Sequence, residues 1–109
     1  MNWTVLNSDE QLAEIINKSH SKPQVIFKHS IRCSISSMVK SRLEKSEAPD
    51  SIDFHYIDLI NFRSLSNKIA EDLNVYHESP QVLFIKDGEC IYDESHMAIR
   101  MDDIVEQVA

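Results

Sequence analysis

A single glycine, Gly88, stands among the 109 residues of this chain, where average usage would give about 7%. Phosphate-cradling loops and dinucleotide fingerprints need several glycines so that backbone can approach phosphate, and neither can be built here. The one glycine present lies in Lys86-Asp87-Gly88-Glu89, between the apolar run Gln81-Val82-Leu83-Phe84-Ile85 and the segment Cys90-Ile91-Tyr92. Asp-Gly suits the centre of a type I′ turn, in which both central residues take positive φ. The sequence therefore predicts a β-hairpin whose first strand is buried on both faces. Pro80 opens that strand, at the position where a missing N–H is tolerated.

The rest of the chain reads as alternating helices and strands. Ser8 offers an N-cap with Gln11 three residues on and acids in the first turn. Leu12, Ile15 and Ile16 then predict a helix from about residue 8 to 19, ended by Pro23. Val25-Ile26-Phe27 is a short strand running into Lys28-His29-Ser30. Ile35, Met38, Val39 and Leu43 mark one face of a helix that begins near Ser34 and closes before Pro49. Phe54, Tyr56 and Ile57-Asp58-Leu59 form the next strand, and Leu65, Ile69 and Leu73 a helix up to Val75. Met101, Ile104, Val105 and Val108 give a last amphipathic helix. The order is α-β-α-β-α-β-β-α, with a short leading strand at Trp3-Thr4-Val5. It predicts one α/β domain over residues 1–109, a mixed sheet of four to five strands with helices on both faces. That order resembles the thioredoxin fold.

Eighteen acidic against eleven basic residues leave a net charge of -7, which argues against a nucleic-acid partner, since such proteins neutralise phosphates with many cations. The charge is uneven. Residues 28–45 hold Lys28, Arg32, Lys40, Arg42 and Lys45 against Glu44 alone, which reads either as a solvated helix face or as a basic collar for an anionic ligand. The N-terminal residues have neither a basic n-region nor a long apolar stretch. No run approaches the ~20 apolar residues of a membrane span. The expectation is a cytoplasmic protein without a membrane partner, in which two cysteines are catalytic or inert rather than a structural disulfide.

Cys33 follows the first core strand and stands at the mouth of the second helix. Thiols at helix N-termini, where unpaired N–H groups and the helix dipole favour the anion, have pKa values of ~3.5 to 7.5 and are then nucleophilic at neutral pH. Arg32 acts in the same direction, and the Ser36 hydroxyl can donate to the sulfur. The competing reading is a buried structural cysteine, against which the polar neighbours His29, Ser30, Arg32, Ser34 and Ser36 argue.

The block Phe27-Lys28-His29-Ser30-Ile31-Arg32-Cys33-Ser34-Ile35-Ser36 resembles the F-K-H-S-x-x-C-x-I-S signature of YtxJ-type monothiol bacilliredoxins. Tyr76-His77-Glu78-Ser79-Pro80-Gln81 and Asp93-Glu94-Ser95-His96 are similar to that family's downstream blocks, so the likeness runs over most of the chain. The resemblance implies a thioredoxin fold, Cys33 as nucleophile, Pro80 as a cis-proline facing it, and removal of bacillithiol from mixed disulfides on cytosolic proteins. Some members have proline directly after the cysteine, where this chain has Ser34. Bacillithiol carries a malate group, which makes Lys28 and Arg32 the expected ligand-binding residues. No bound cofactor is implied; bacillithiol enters as a co-substrate. The partners expected are S-thiolated cytosolic proteins and a low-molecular-weight thiol.

His29, His77 and His96 all fall, on that fold, at the sheet end that holds Cys33. Each is either a base, proton donor or cation at the site or a structural hydrogen-bonder or loop residue, with His29 read as structural. A metal site is not expected, because the two cysteines are 57 residues apart and no C-x-x-C or H-x-x-x-H pair exists. An iron–sulfur glutaredoxin is disfavoured by Ser34 in place of the glycine of C-G-F-S. Cys90 lies just past the hairpin turn, about five residues of strand or roughly 15 Å from the active end, too far for a disulfide to Cys33. The alternative to a thiol-transferase is a non-enzymatic thioredoxin-fold stress or interaction module with one redox-sensing cysteine.

Overall fold

The computed structural model describes residues 1–108. Its elements, in chain order, are β1 (Trp3–Val5), α1 (Asp9–Lys18), β2 (Gln24–His29), α2 (Ser34–Lys45), β3 (Asp53–Asp58), α3 (Arg63–Asp72), β4 (Gln81–Lys86), β5 (Glu89–Ser95), a 3-10 turn at His96–Ala98 and α4 (Met101–Glu106). The five strands form one mixed sheet in the order β1-β3-β2-β4-β5. β3 runs parallel to β1 and β2, and β4 antiparallel to β2 and β5. The 3-10 turn was not anticipated from the sequence. α4 is shorter than the apolar spacing suggests, and Val108 is exposed beyond its end.

Two cores lie on the two faces of the sheet. Val25, Phe27, Phe54, Val82 and Phe84 face α2 and α4 through Val39, Leu43, Met101 and Ile104. Ile26, Ile57, Leu83 and Ile85 face α1 and α3 through Leu12, Ile15, Leu65, Ile69 and Leu73. β2 is buried along its whole length and β4 from Gln81 to Ile85, as the continuous apolar run of β4 predicts. Burying a side chain such as Phe27 or Phe84 contributes about 1.5–3 kcal/mol.

Local signals account for the ends of the elements. The Ser8 side chain accepts from the Gln11 amide, and the Gln11 side chain reaches back to the Asn7 amide, a capping box displaced by one residue. The hairpin turn has φ of 54° at Asp87 and 81° at Gly88, both positive as a type I′ turn requires. Ser19 holds its tip, its carbonyl accepting from the Asp87 amide and its hydroxyl from the Gly88 amide. Between Phe84 and Ile85 the register slips, so Tyr92 faces Phe84, Cys90 faces Ile85, and Ile91 has no partner.

Gly88→Ala puts a Cβ 3.2 Å from the His20 ring and forces an alanine into the left-handed region. The expected loss is about 1–2 kcal/mol, read as a lower urea midpoint with an unchanged slope; an unaltered midpoint would show that the turn tolerates a side chain.

Candidate functional site

β2 and β3 end, and β4 begins, at the same edge of the sheet, and Cys33 stands there as the N-cap of α2. Its backbone is extended, with φ of -104° and ψ of 119°. The Cys33 amide donates to the Ser30 carbonyl, closing a tight turn, while the Cys33 carbonyl accepts the first helical bond from Ser37. The thiol itself makes no capping hydrogen bond and is partly exposed. Cys33 thus stands beside the amides of the first turn of α2, which have no acceptor within the helix.

The turn that presents Cys33 is fastened from beneath. Ser36 is fully buried, with its hydroxyl 2.7 Å from His29 Nδ1 and accepting from the Ser30 amide at 3.0 Å. That corrects the expectation that Ser36 donates to the cysteine sulfur: its hydroxyl is engaged by His29 and Ser30. His29 stacks on Phe27 and meets Tyr56 edge-on. Burial, and then the Lys40 cation, lower its pKa, which favours the neutral ring. The same contact rotates the helix. The buried stripe of α2 is Ser36, Val39 and Leu43, while Ile35 and Met38, expected on the core face, are exposed.

The basic collar does not form as expected. Lys28, assigned above to ligand binding, is fully buried on the α3 side of the sheet. Its Nζ donates to the Ser66 carbonyl and lies 3.1 Å from His77 Nδ1. Loss of water lowers its pKa to about 8. Lys40 lies over the rings of Tyr56 and Trp3 and pairs with Glu44. The Arg42 guanidinium donates to the Met97 and Ile99 carbonyls. Of the five cations, Arg32 is the one that is exposed beside Cys33.

Opposite the end of β2 lies Pro80, preceded by a cis peptide bond. Lys28 pairs with Gln81, so His29 and Pro80 are the next residues on the two strands. The Pro80 carbonyl accepts from the His96 amide, and His96 Nε2 is 3.1 Å from a Glu78 carboxylate oxygen in an exposed pair. His77 is half-buried, its pKa lowered by burial and then by Lys28 and Arg63. The three histidines are thus at the Cys33 end of the sheet, held by Ser36, Lys28 and Glu78 respectively. Two buried oxygens flanking Pro80, Ser79 Oγ and Gln81 Oε1, have no hydrogen-bond partner. Sequence reading missed Ser66 and Gln81; a polar residue opening an otherwise apolar strand was the available signal for Gln81.

Cys90 is remote from this site, paired with Ile85 near the hairpin turn, and burial pushes its thiol up to about 11. A cavity of about 860 Å³ also lies away from Cys33, at the opposite sheet end among residues such as Lys18, Lys22, Asp53 and His55. Asp53 is already ion-paired with both lysines there. Among the described residues, no cluster of three metal-ligating side chains occurs, and no helix is long and apolar enough to cross a membrane.

One thiol at the start of the second helix, on a mixed sheet whose fourth strand opens with a cis-proline, defines a thioredoxin-fold protein of the monothiol kind. The structure superimposes on a thioredoxin-fold protein described as a candidate oxidoreductase, with a TM-score of 0.84 and 28% identity, covering 96% of this chain and 92% of that one. Thioredoxins of Malassezia sympodialis (TM-score 0.76, 18% identity, 98% and 88% covered) and Fasciola hepatica (0.75, 18%, 95% and 94%) share the fold. Residues 4–104 match the family model described as monothiol bacilliredoxin BrxC, and the chain belongs to that family. Membership and fold together support a thiol–disulfide redox role.

His29, His55 and His77 are all lowered from an ordinary value near 6.5, chiefly by burial. A histidine whose folded pKa is depressed stabilises the fold above its unfolded pKa, and that contribution is lost as pH falls, because the unfolded chain takes up protons first. Unfolding free energy in urea should therefore decline from about pH 7.5 to about pH 5. Asp53, held below the carboxylate range by Lys22, Gln24 and Lys18 despite its burial, adds a second loss below about pH 4. A stability that rises as pH falls from neutrality to about 5 contradicts the lowered pKa of these rings.

Proposed function

We propose that this protein removes bacillithiol, or a closely similar low-molecular-weight thiol, from mixed disulfides on cytosolic proteins. The Cys33 thiolate attacks the bacillithiol sulfur. A Cys33–bacillithiol disulfide forms, the protein–bacillithiol bond breaks, and the protein leaves as a thiolate that takes a proton from solvent. A second low-molecular-weight thiol then attacks the Cys33 adduct, releasing a bacillithiol disulfide and restoring Cys33. No bound cofactor enters; the thiol is a co-substrate.

The observation that carries this reading is the isolation of Cys33: it is partly exposed, without a hydrogen bond of its own, at a helix N-terminus, and the other thiol lies at the far end of β4 and β5. A monothiol exchange needs that separation, since a resolving cysteine within reach would expel the adduct. Arg32, exposed beside Cys33, is the cation available to the malate carboxylates of bacillithiol. Lys28, being buried, takes no part in that contact.

Cys33→Ser should abolish transfer from a bacillithiolated protein and leave thermal unfolding nearly unchanged, because serine is a favoured N-cap. Cys90→Ser should alter neither the rate nor the one-to-one adduct seen by mass spectrometry. An intact Cys33 protein that forms the adduct but turns over no substrate would instead be a redox-sensing module, and a Cys33–Cys90 cross-link in the monomer would overturn the monothiol mechanism.

A further inference from the structure

The segment from Tyr76 to Ser79 has an unusual attachment. Among the described residues, none of its four backbone amides or carbonyls bonds to another backbone group. The Tyr76 ring is almost wholly exposed and contributes no packing. Side chains alone hold this loop: Gln81 Nε2 donates to the Tyr76 carbonyl, Glu78 meets His96 at the surface, and Lys28 and Ser66 meet the half-buried His77 ring. The surface pair is exposed on both sides, so water and salt screen it. The contact with Lys28 is of another kind.

Lys28 is a fully buried cation whose recorded hydrogen-bond partners are neutral: the Ser66 carbonyl of α3 and the His77 ring. Burying an ammonium ion is unfavourable unless its donors are used. Its Nζ joins three parts of the fold, the strand that leads to Cys33, the helix α3, and the loop that leads to Pro80. For His77 Nδ1 to accept from Lys28 the ring must be neutral with its proton on Nε2. The groups facing that ring are Lys28 from β2, Arg63 and Ser66 from α3, and Glu78 from its own loop.

We propose that Lys28 and His77 form a partly buried tie that positions the loop carrying cis-Pro80 against the strand that leads to Cys33, making both of them positioning residues for thiol exchange. The proposal rests on the thiol-transfer reading above. Lys28 sets where the loop stands, and therefore how a substrate disulfide lies beside Cys33, without acting on the thiol. Protonation of His77 places two donors and two positive charges face to face, so the tie opens on the acid side.

The test has a structural arm and a kinetic arm. In NMR titrations, Lys28→Met removes the neighbouring cation and should raise the His77 midpoint by about one pH unit; an unmoved midpoint overturns the tie. 15N relaxation of the Glu78 and Ser79 amides should show lost order in His77→Leu and retained order in His77→Gln, whose carbonyl oxygen can still accept from Lys28. Equal order in the two variants overturns the positioning role, and this readout stands even where Lys28→Met fails to fold or the wild type transfers no thiol. In the kinetic arm, Lys28→Met and His77→Leu should each lower kcat/KM on a thiolated protein about tenfold, mainly through KM, and the double variant no further. Labelling of Cys33 by iodoacetamide should keep its wild-type rate, and His77→Gln should recover transfer to within about twofold. Wild-type transfer in Lys28→Met, additive losses, or slowed labelling overturn the proposal. A wild type that transfers no thiol overturns the proposed function instead.

Discussion

The buried hydroxyl of Ser36 is the contact on which the Cys33 site depends. A strand that ends inside a domain leaves backbone donors that water cannot reach, and each one left unpaired costs about 1–3 kcal/mol. At the end of β2 the Ser30 amide is a partly buried donor of this kind. Ser36 takes it, and His29 in turn holds Ser36. That arrangement sets the turn from Ser30 to Cys33, the angle at which α2 leaves the sheet, and the placement of the thiol at the first turn of the helix. His29 packs on Phe27 and Tyr56, so the chain of contacts runs from the hydrophobic core to the turn that carries Cys33.

The opposite face of the same strand does complementary work. Adjacent residues of a strand point to opposite faces, so His29 addresses α2 while Lys28 addresses α3 and the loop before β4. The six-residue β2 thus holds both segments that flank Cys33, one by a neutral network and one by a buried cation. Of the two, the contact in which His77 Nδ1 accepts from Lys28 needs a neutral imidazole, which links that side of the site to pH. The hairpin of β4 and β5 is held separately, at its far end, by Ser19, and Cys90 belongs to that part of the molecule.

Much of the architecture is legible in the sequence. The periodicities of α1, α3 and β4, the capping residues of α1 and the Asp87-Gly88 turn are local signals, and the observed elements follow them. The errors are on α2 and at the termini of elements. Ile35 and Met38 have the spacing of a core face, yet they are exposed, because the helix is turned to bury a serine. Hydrophobic periodicity counts apolar side chains; it does not register a polar group that a strand end requires. Lys28 was misplaced for the same reason, since a lysine in a run of charges reads as a surface cation unless its partners are known.

By itself the sequence determined the α/β order of elements, the hairpin, the place of Cys33 at the mouth of the second helix and the separation of Cys90 from it, because each depends on residues near one another in the chain or on strand length. Only the tertiary structure decided which polar groups serve the site and which are left to the surface. Ser36 finds Ser30, Lys28 finds Ser66 and His77, and Arg42 finds the carbonyls of Met97 and Ile99. The physical reason is that an isolated chain can satisfy a polar side chain with water, whereas a folded one must satisfy it with whatever group the packing of distant elements brings within about 3 Å.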